Sequence, residues 1–368
     1  MAITPGDYAG YDSVTTDVTK VDSTETDFPY YIDLANLSAT WWSNVQSDGG
    51  DIRVTTNDDG TGQVPIEVVA IDTVAETGEL HFKDSTDSAS AKTYYVWCGT
   101  AGSDSQPAVG ATYGRNAVWS KYGGVYHFQN TSGVVVDSSG NNDGTNNGAT
   151  RGVSGLIGNG FDMDGSSDYV DTNLNLGTIG TVTYSFFNTQ NIGAGESKQN
   201  DFQLGDTGTN SGSTIAGRAF DPPDGDTNLF YIIMASGGVA WYWVAEDFTV
   251  TPNKRFEANT WYTISYWYDS SDSSVYLSIN GEVVKGTPRN SPGIPSYSNI
   301  DVGRANNNSS FSDSSFDEVR ASTSPLLGGW HVTEYNMQNS NSTFYTFNGW
   351  TALAEDRVAR PLSFGGKL

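Results

Sequence analysis

TWYTISYWYDSSDSSVYLSINGEVVKG, residues 260–286, decides the fold. Aromatic and β-branched residues alternate here with Thr and Ser at period two, the pattern of strands that bury one face. Asn280-Gly281 stands between SVYLSI and EVVK, and a two-residue type I′ turn needs positive φ at both central positions, which Asn and Gly adopt most readily. SSDSS at 270–274 supplies the loop of the preceding hairpin. The same pattern runs through FPYYIDL (28–34), DIRVTT (51–56), VPIEVVAID (64–72), GELHFK (78–83) and KTYYVWCG (92–99), and later through TVTYSFFNT, NLFYIIMA, VAWYWVA and SNIDVG. Helical periodicity is nearly absent. The one short helix expected lies in NLSATWWSNV, where Ser38 caps and Trp41, Trp42 and Val45 face inward. Short strands punctuated by turn residues predict an all-β chain of two tandem β-sandwich or jelly-roll domains, with a short C-terminal extension.

Composition narrows the function. The 368 residues carry 18 Lys and Arg against 43 acidic residues, a net charge of −25, so the surface repels nucleic-acid phosphates and anionic lipid heads. No apolar run reaches the length of a spanning helix, which argues against membrane insertion. The single Cys98 lies in an apolar run and is a small buried hydrophobe rather than half of a disulfide. MAITPGDYAGYDSVTT has neither the basic nor the apolar segment of a secretory signal, so the expectation is synthesis in a cytosol and exit by another route, such as lysis.

Catalytic chemistry is sparse. His81, His127 and His331 each sit inside an apolar strand or helix pattern, where a structural histidine is the simpler reading, and neither HExxH nor GxSxG occurs. Asp162 and Asp164 in FDMDG have the spacing of two carboxylates on one strand face, but Gly165 and the following SSD make a turn there. Asp317 and Glu318 are adjacent and on a regular strand point to opposite faces. The chain is therefore expected not to be an enzyme.

Residues 17–128 resemble the DUF2341 domain. TKVDSTETDFPYYIDL, LSATWWSNVQSDGGDIRVTTNDDGTGQVPIEVV, DTVAETGELHFK and ATYGRNAVWSKYGGVYHFQ carry that resemblance. From VYHFQN through GNGFDMDGSSDYVD, the hairpin quoted above and FDEVRAS, the chain resembles a laminin G-like, concanavalin A-like jelly roll, and GGWHVTEYNMQNSNSTFYTF is similar to the closing segment of such tandem proteins. The organisation expected is an N-terminal arm (1–16), a DUF2341-like sandwich (17–121), the jelly roll (122–349) and a C-terminal arm (350–368) that docks on another subunit or frays.

Laminin G-like resemblance implies calcium near an Asp-rich edge loop, which singles out DSSGNNDGTNNGAT (137–150). Asp137, Asn142, Asp143 and the distant Asp317 are the candidate ligands, since oxygen donors suit a hard cation. The alternative is a turn stabilised by Asx hydrogen bonds. Trp241, Trp243 and Tyr266 are candidates for stacking on sugar rings, or else core, and Asp221, Asp224 and Asp226 in the loops of 188–228 are candidates for specificity. Such domain pairs are common in extracellular and viral proteins. The resulting expectation is a structural virion protein of a tailed phage, on a tail fibre, baseplate or capsid, that contacts other virion proteins, forms a homo-oligomer and attaches to host-surface glycan. A decoration subunit without glycan binding, and a secreted glycan-binding or glycan-degrading protein, remain the alternatives.

Overall fold

The computed structural model describes residues 3–140, 142–174, 177–178, 181–188, 197–206, 214–220, 229–236, 239–245, 259–269, 271–272, 274–288, 296–297, 300–304 and 311–353. It is all-β, built of antiparallel sheets. In the first unit, β1 (Gly10–Thr16), β3 (Arg53–Thr55) and β6 (Thr93–Cys98) form one sheet, and β2 (Phe28–Asp33), β4 (Ile66–Asp72) and β5 (Thr77–Asp84) form another. The two sheets face each other over aromatic side chains. Tyr30 stacks on Phe82 with ring centroids 5.1 Å apart, and Tyr94 of the other sheet meets the Phe82 ring at 4.6 Å. Helix α1 (Ala39–Trp42) is as the sequence predicts: the Ser38 hydroxyl accepts from the Trp41 amide, and Trp41 and Trp42 are buried.

Strand pairing draws the end of the expected N-terminal arm and the first residues of the expected C-terminal arm into a sheet. Gly10–Thr16 is an inner strand of its sheet, bonded to β6 on one side and to the strand Tyr345–Ala352 on the other. The register runs from Gly10 opposite Ala352 to Thr16 opposite Tyr345. The first unit is thus completed by the end of the chain, and the jelly roll does not extend to 349. Trp350–Ala352, expected to begin the C-terminal arm, are strand; residues 354–368 lie outside the described residues. The physical reason is edge satisfaction: without the returning strand, the β1 backbone groups on that side have no ladder partner.

In the second unit a single path of hydrogen-bonded strands includes Thr181–Asn188, Thr260–Asp269, Ser274–Ile279, Glu282–Pro288 and Asp313–Ser322. Asn280 and Gly281 have φ of 50° and 77°, and Ile279 pairs with Glu282, as the type I′ hairpin requires. The core of this unit gathers Phe128, Phe161, Val170, Val182, Ile264, Leu277 and Phe316.

Between the units runs α2 (Arg115–Val118), followed by β7 (Gly124–Tyr126), which pairs with Asp313–Ser322. After that long strand comes α3 (Gly328–Asn339), which crosses back to the open edge of β2. There the Asn341 side chain acts as a strand would: its Oδ1 accepts from the Asp33 amide at 3.0 Å and its Nδ2 donates to the Tyr31 carbonyl at 2.8 Å. A second buried core consequently mixes Tyr30, Phe82 and Val96 of the first unit with Val125, Ile157, Trp330, Met337 and Phe344.

We expect that a 17–121 fragment, which lacks β1 and Tyr345–Ala352, shows no cooperative thermal transition by circular dichroism, whereas the full chain does; a sharp transition in the fragment would refute the shared-sheet account.

Candidate functional site

The alternation of β5 places Leu80 and Phe82 in this mixed core and Glu79 and His81 on the opposite face. That face is buried too. In register, His81 lies between Tyr31 of β2 and Glu67 of β4, so one row across the three-stranded sheet carries a carboxylate, an imidazole and a phenol. Opposite the row, the second unit contributes His127, just after β7, with Glu318 and Arg320 from Asp313–Ser322. Glu334 and His331 come from α3.

Glu318 has a φ of 51°, at a register shift between the long strand and Thr181–Asn188. A left-handed non-glycine residue at a bulge breaks the alternation. Asp317 and Glu318 are therefore both buried and act on each other, contrary to the opposite faces expected of neighbours on a regular strand.

The groups interlock. His81 Nε2 lies 2.8 Å from Glu79 Oε1, and His127 Nδ1 lies 2.6 Å from Glu318 Oε1 and 3.2 Å from Glu79 Oε1. The Arg320 guanidinium bonds Glu318 Oε2 through Nη2 and reaches Glu334 Oε1 at 2.5 Å through Nη1. Glu67 accepts from Trp119 Nε1 at 2.5 Å and from the Ser138 hydroxyl at 2.6 Å, and its Oε2 is 3.5 Å from His127 Nε2. The His81 and His127 rings stack with centroids 4.9 Å apart.

Burial acts on every group, and the neighbours decide the sign. For His81 burial dominates and lowers the pKa, which favours the neutral imidazole. For His127 burial works downward, but Glu318 and Glu79 outweigh it and hold the imidazole well above its usual range. Burial likewise pushes Glu318 and Glu334 up, and the nearby cations, His127 and Arg320 for the former and Arg320 for the latter, bring both below the usual carboxylate range. For Asp317, burial and then Glu318 outweigh the Ile157 amide and His127 and raise it well above the usual value. Its oxygens accept from the Ile157 and Glu318 amides, each at 2.8 Å.

A cleft of about 360 Å³ opens at this junction. Its walls include Ile66, Val68 and Arg115 of the first unit and Phe128, Gln129 and Asn159 of the second, and both Glu67 and His127 line it.

The candidate residues named from sequence fall elsewhere. Asp137, Asn142 and Asp143 do come together, as a turn: Asp137 Oδ1 accepts from the Val125 and Ser139 amides at 2.9 Å, Oδ2 from the Asn142 amide at 3.0 Å, and Asp143 Oδ1 from the Asp137 amide at 2.9 Å. Asp317 does not join them, because the Ile157 and Glu318 amides hold it. Tyr266 is buried in the jelly-roll core, a position from which no ring can stack on a sugar. Trp241 and Trp243 lie on the strand Val239–Ala245, where only the backbone is described, and Asp221, Asp224 and Asp226 lie outside the described residues. Asp162 accepts from the Ser315 hydroxyl at 2.7 Å, and Asp164 caps a turn through the amides of Ser166, Ser167 and Asp168.

Sequence reasoning missed the junction cluster. The available signals were the i, i+2 pairs Glu79/His81 and Glu318/Arg320, each placing two ionisable groups at the spacing of one strand face.

Residues 164–328 match the family model of the concanavalin A-like lectin/glucanases superfamily, a laminin G-type domain. No curated protein matches the chain. Among solved structures, the receptor binding domain of botulinum neurotoxin C/D mosaic serotype is 13% identical, covering 60% of this chain and 52% of that one at a TM-score of 0.44. The binding domain of Paraclostridial Mosquitocidal Protein 1 is 15% identical, with coverages of 59% and 52% and a TM-score of 0.42. Domain 4 of AbnA, an extracellular arabinanase from Geobacillus stearothermophilus solved with arabinotriose, is 18% identical, with coverages of 59% and 98% and a TM-score of 0.40. The chain thus spans about half the length of the two toxin domains.

At the junction, Arg320→Met leaves Glu318 and Glu334 without their buried cation, and we expect a loss of about 3–5 kcal/mol in unfolding free energy, measured by urea denaturation at neutral pH. A loss below about 1 kcal/mol, the range of an exposed pair, would show that the triad is solvated.

Proposed function

We propose that the protein is a non-catalytic glycan-binding protein, with the jelly roll as the sugar-binding part and the first unit, read as DUF2341-like, as its mount. The observation that carries this is the match of residues 164–328 to the concanavalin A-like lectin/glucanases superfamily. The carboxylates at strand spacing support binding over cleavage. Asp164 is held below the usual carboxylate range by hydrogen bonds from Ser166 and Ser167, and such a group is a poor general acid near neutral pH. Its neighbour Asp162 is tied to Ser315.

Within that reading, the setting we propose is the surface of a tailed-phage particle, on a fibre, baseplate or capsid, with copies of the chain and other virion proteins as partners and a host-surface polysaccharide as ligand. The acidic charge favours neutral or cationic glycans over anionic ones.

Trp241 and Trp243, two apart on one strand, are the residues we expect to stack on the sugar. Full-length protein is expected to bind at least one family of bacterial surface polysaccharides on an array. Trp241→Ala or Trp243→Ala should weaken that binding about tenfold, a change of about 1.4 kcal/mol, without altering the thermal midpoint. Binding to no polysaccharide, or release of reducing ends from any of them, would overturn the proposal.

A further inference from the structure

We propose that Glu79, His81, His127 and Glu318 form a closed, four-ligand site for a transition-metal dication of the zinc type, and that this ion joins the two units of the chain.

The four side chains come from separate parts of the sequence and meet at one point. One donor atom from each lies within 4.8 Å of the other three, and all four residues are buried. Among the described residues it is the one group of three or more His, Cys, Asp or Glu side chains placed to hold a metal ion. In a tetrahedral site with bonds of about 2.0–2.2 Å, donor atoms stand roughly 3.3–3.6 Å apart. The contacts of 2.6, 2.8 and 3.2 Å between the imidazole nitrogens and carboxylate oxygens are close to that spacing, and the remaining donor pairs lie within 4.8 Å, so modest side-chain shifts admit an ion.

The donor set selects the metal. Two imidazoles with two carboxylates suit zinc, cobalt or iron, whereas calcium takes six to eight oxygens. The surroundings supply what such ligands need behind them: Arg320 holds the far oxygen of Glu318, and Glu67, fixed by Trp119 and Ser138, faces the far nitrogen of His127 at 3.5 Å.

Two observations argue against hydrogen bonds alone. Glu79 Oε2 and His81 Nδ1 are buried and have no hydrogen-bond partner. In addition, Glu67, Glu79, Glu318 and Glu334 are all buried here, while among the described residues Arg320 is the only permanent cation bonded to any of them. A dication between Glu79 and Glu318 relieves that excess where it is largest. The cleft lined by Glu67 and His127 gives the ion a path to the site.

The test uses the full chain. After chelator treatment and dialysis, the protein is titrated with Co²⁺, and a parallel sample is refolded with Zn²⁺ and its metal content measured. The expected result is about one metal per chain, the visible absorption of four-coordinate Co²⁺, and a thermal midpoint raised by Zn²⁺ but not by Ca²⁺. His81→Gln should lose the cobalt spectrum while keeping, in chelator, a midpoint close to that of the parent protein in chelator. If that variant does not fold, Glu79→Gln, which preserves shape and hydrogen bonding, serves in its place. Less than about a tenth of an ion per chain after refolding, with no cobalt spectrum, would overturn the site and leave a purely hydrogen-bonded cluster. An equal response to Ca²⁺, or an unchanged cobalt spectrum in the folded variants, would overturn it as well.

Discussion

The guanidinium of Arg320 is the constraint around which the junction is arranged. It is fully buried, and it bonds Glu318 on its own strand and Glu334 on the helix that follows. A buried charge is costly unless its geometry is nearly complete, so the strand, the helix and the opposing three-stranded sheet can approach in few ways only. Apolar packing alone tolerates sliding of one face over another, because its energy follows area. Replacing such contacts by interlocked ion pairs exchanges some stability for a defined relative placement, as Trp119, whose ring lies under the guanidinium with the Arg320 carbon 4.8 Å from its centre, illustrates.

Topology enforces the same placement from the other end. The chain leaves the first unit after β6, builds the jelly roll, and comes back along α3 to pair with β1. Neither sheet of the first unit is finished until that return: one lacks its Tyr345–Ala352 strand, and the other lacks the Asn341 amide that covers the edge of β2. Two domains in series share only a linker, whereas here the segment that closes one unit is held by the other. Unfolding of the jelly roll is consequently coupled to the loss of β1 pairing.

What the sequence revealed follows the range of the interactions involved. Asn280-Gly281 specifies its hairpin through φ preferences within two residues, and Ser38 specifies α1 through a bond three residues away, so both were legible. The return of Tyr345–Ala352 to β1 spans more than three hundred residues, and nothing local in YTFNGWTA distinguishes that partner from solvent. The Asp137 loop was legible as chemistry but ambiguous as function: calcium and backbone amides both satisfy a carboxylate, and the Val125 amide, twelve residues away, belongs to the turn. The junction cluster was hidden for a different reason. His81 and His127 each lie among apolar neighbours, which is the signature of an inert core histidine, and only the packing of β5 against the second unit places one ring on the other.

The position of the cluster also bears on what kind of machine this is. Catalysis needs reacting groups that solvent and substrate can reach and that change protonation during a cycle. At the junction, Arg320 bonds both Glu318 and Glu334 and favours their charged forms, burial and Glu318 push Asp317 upward, and Glu67 is pinned by Trp119 and Ser138. Groups fixed this firmly suit orientation better than proton transfer. A binding domain held rigidly to its mount loses little orientational freedom when it meets a surface, and when several copies are displayed together, their effective concentration multiplies weak individual contacts. On the reading proposed above, weak sugar binding by each jelly roll would then be enough, and the ionic junction would supply the fixed geometry on which that multiplication depends.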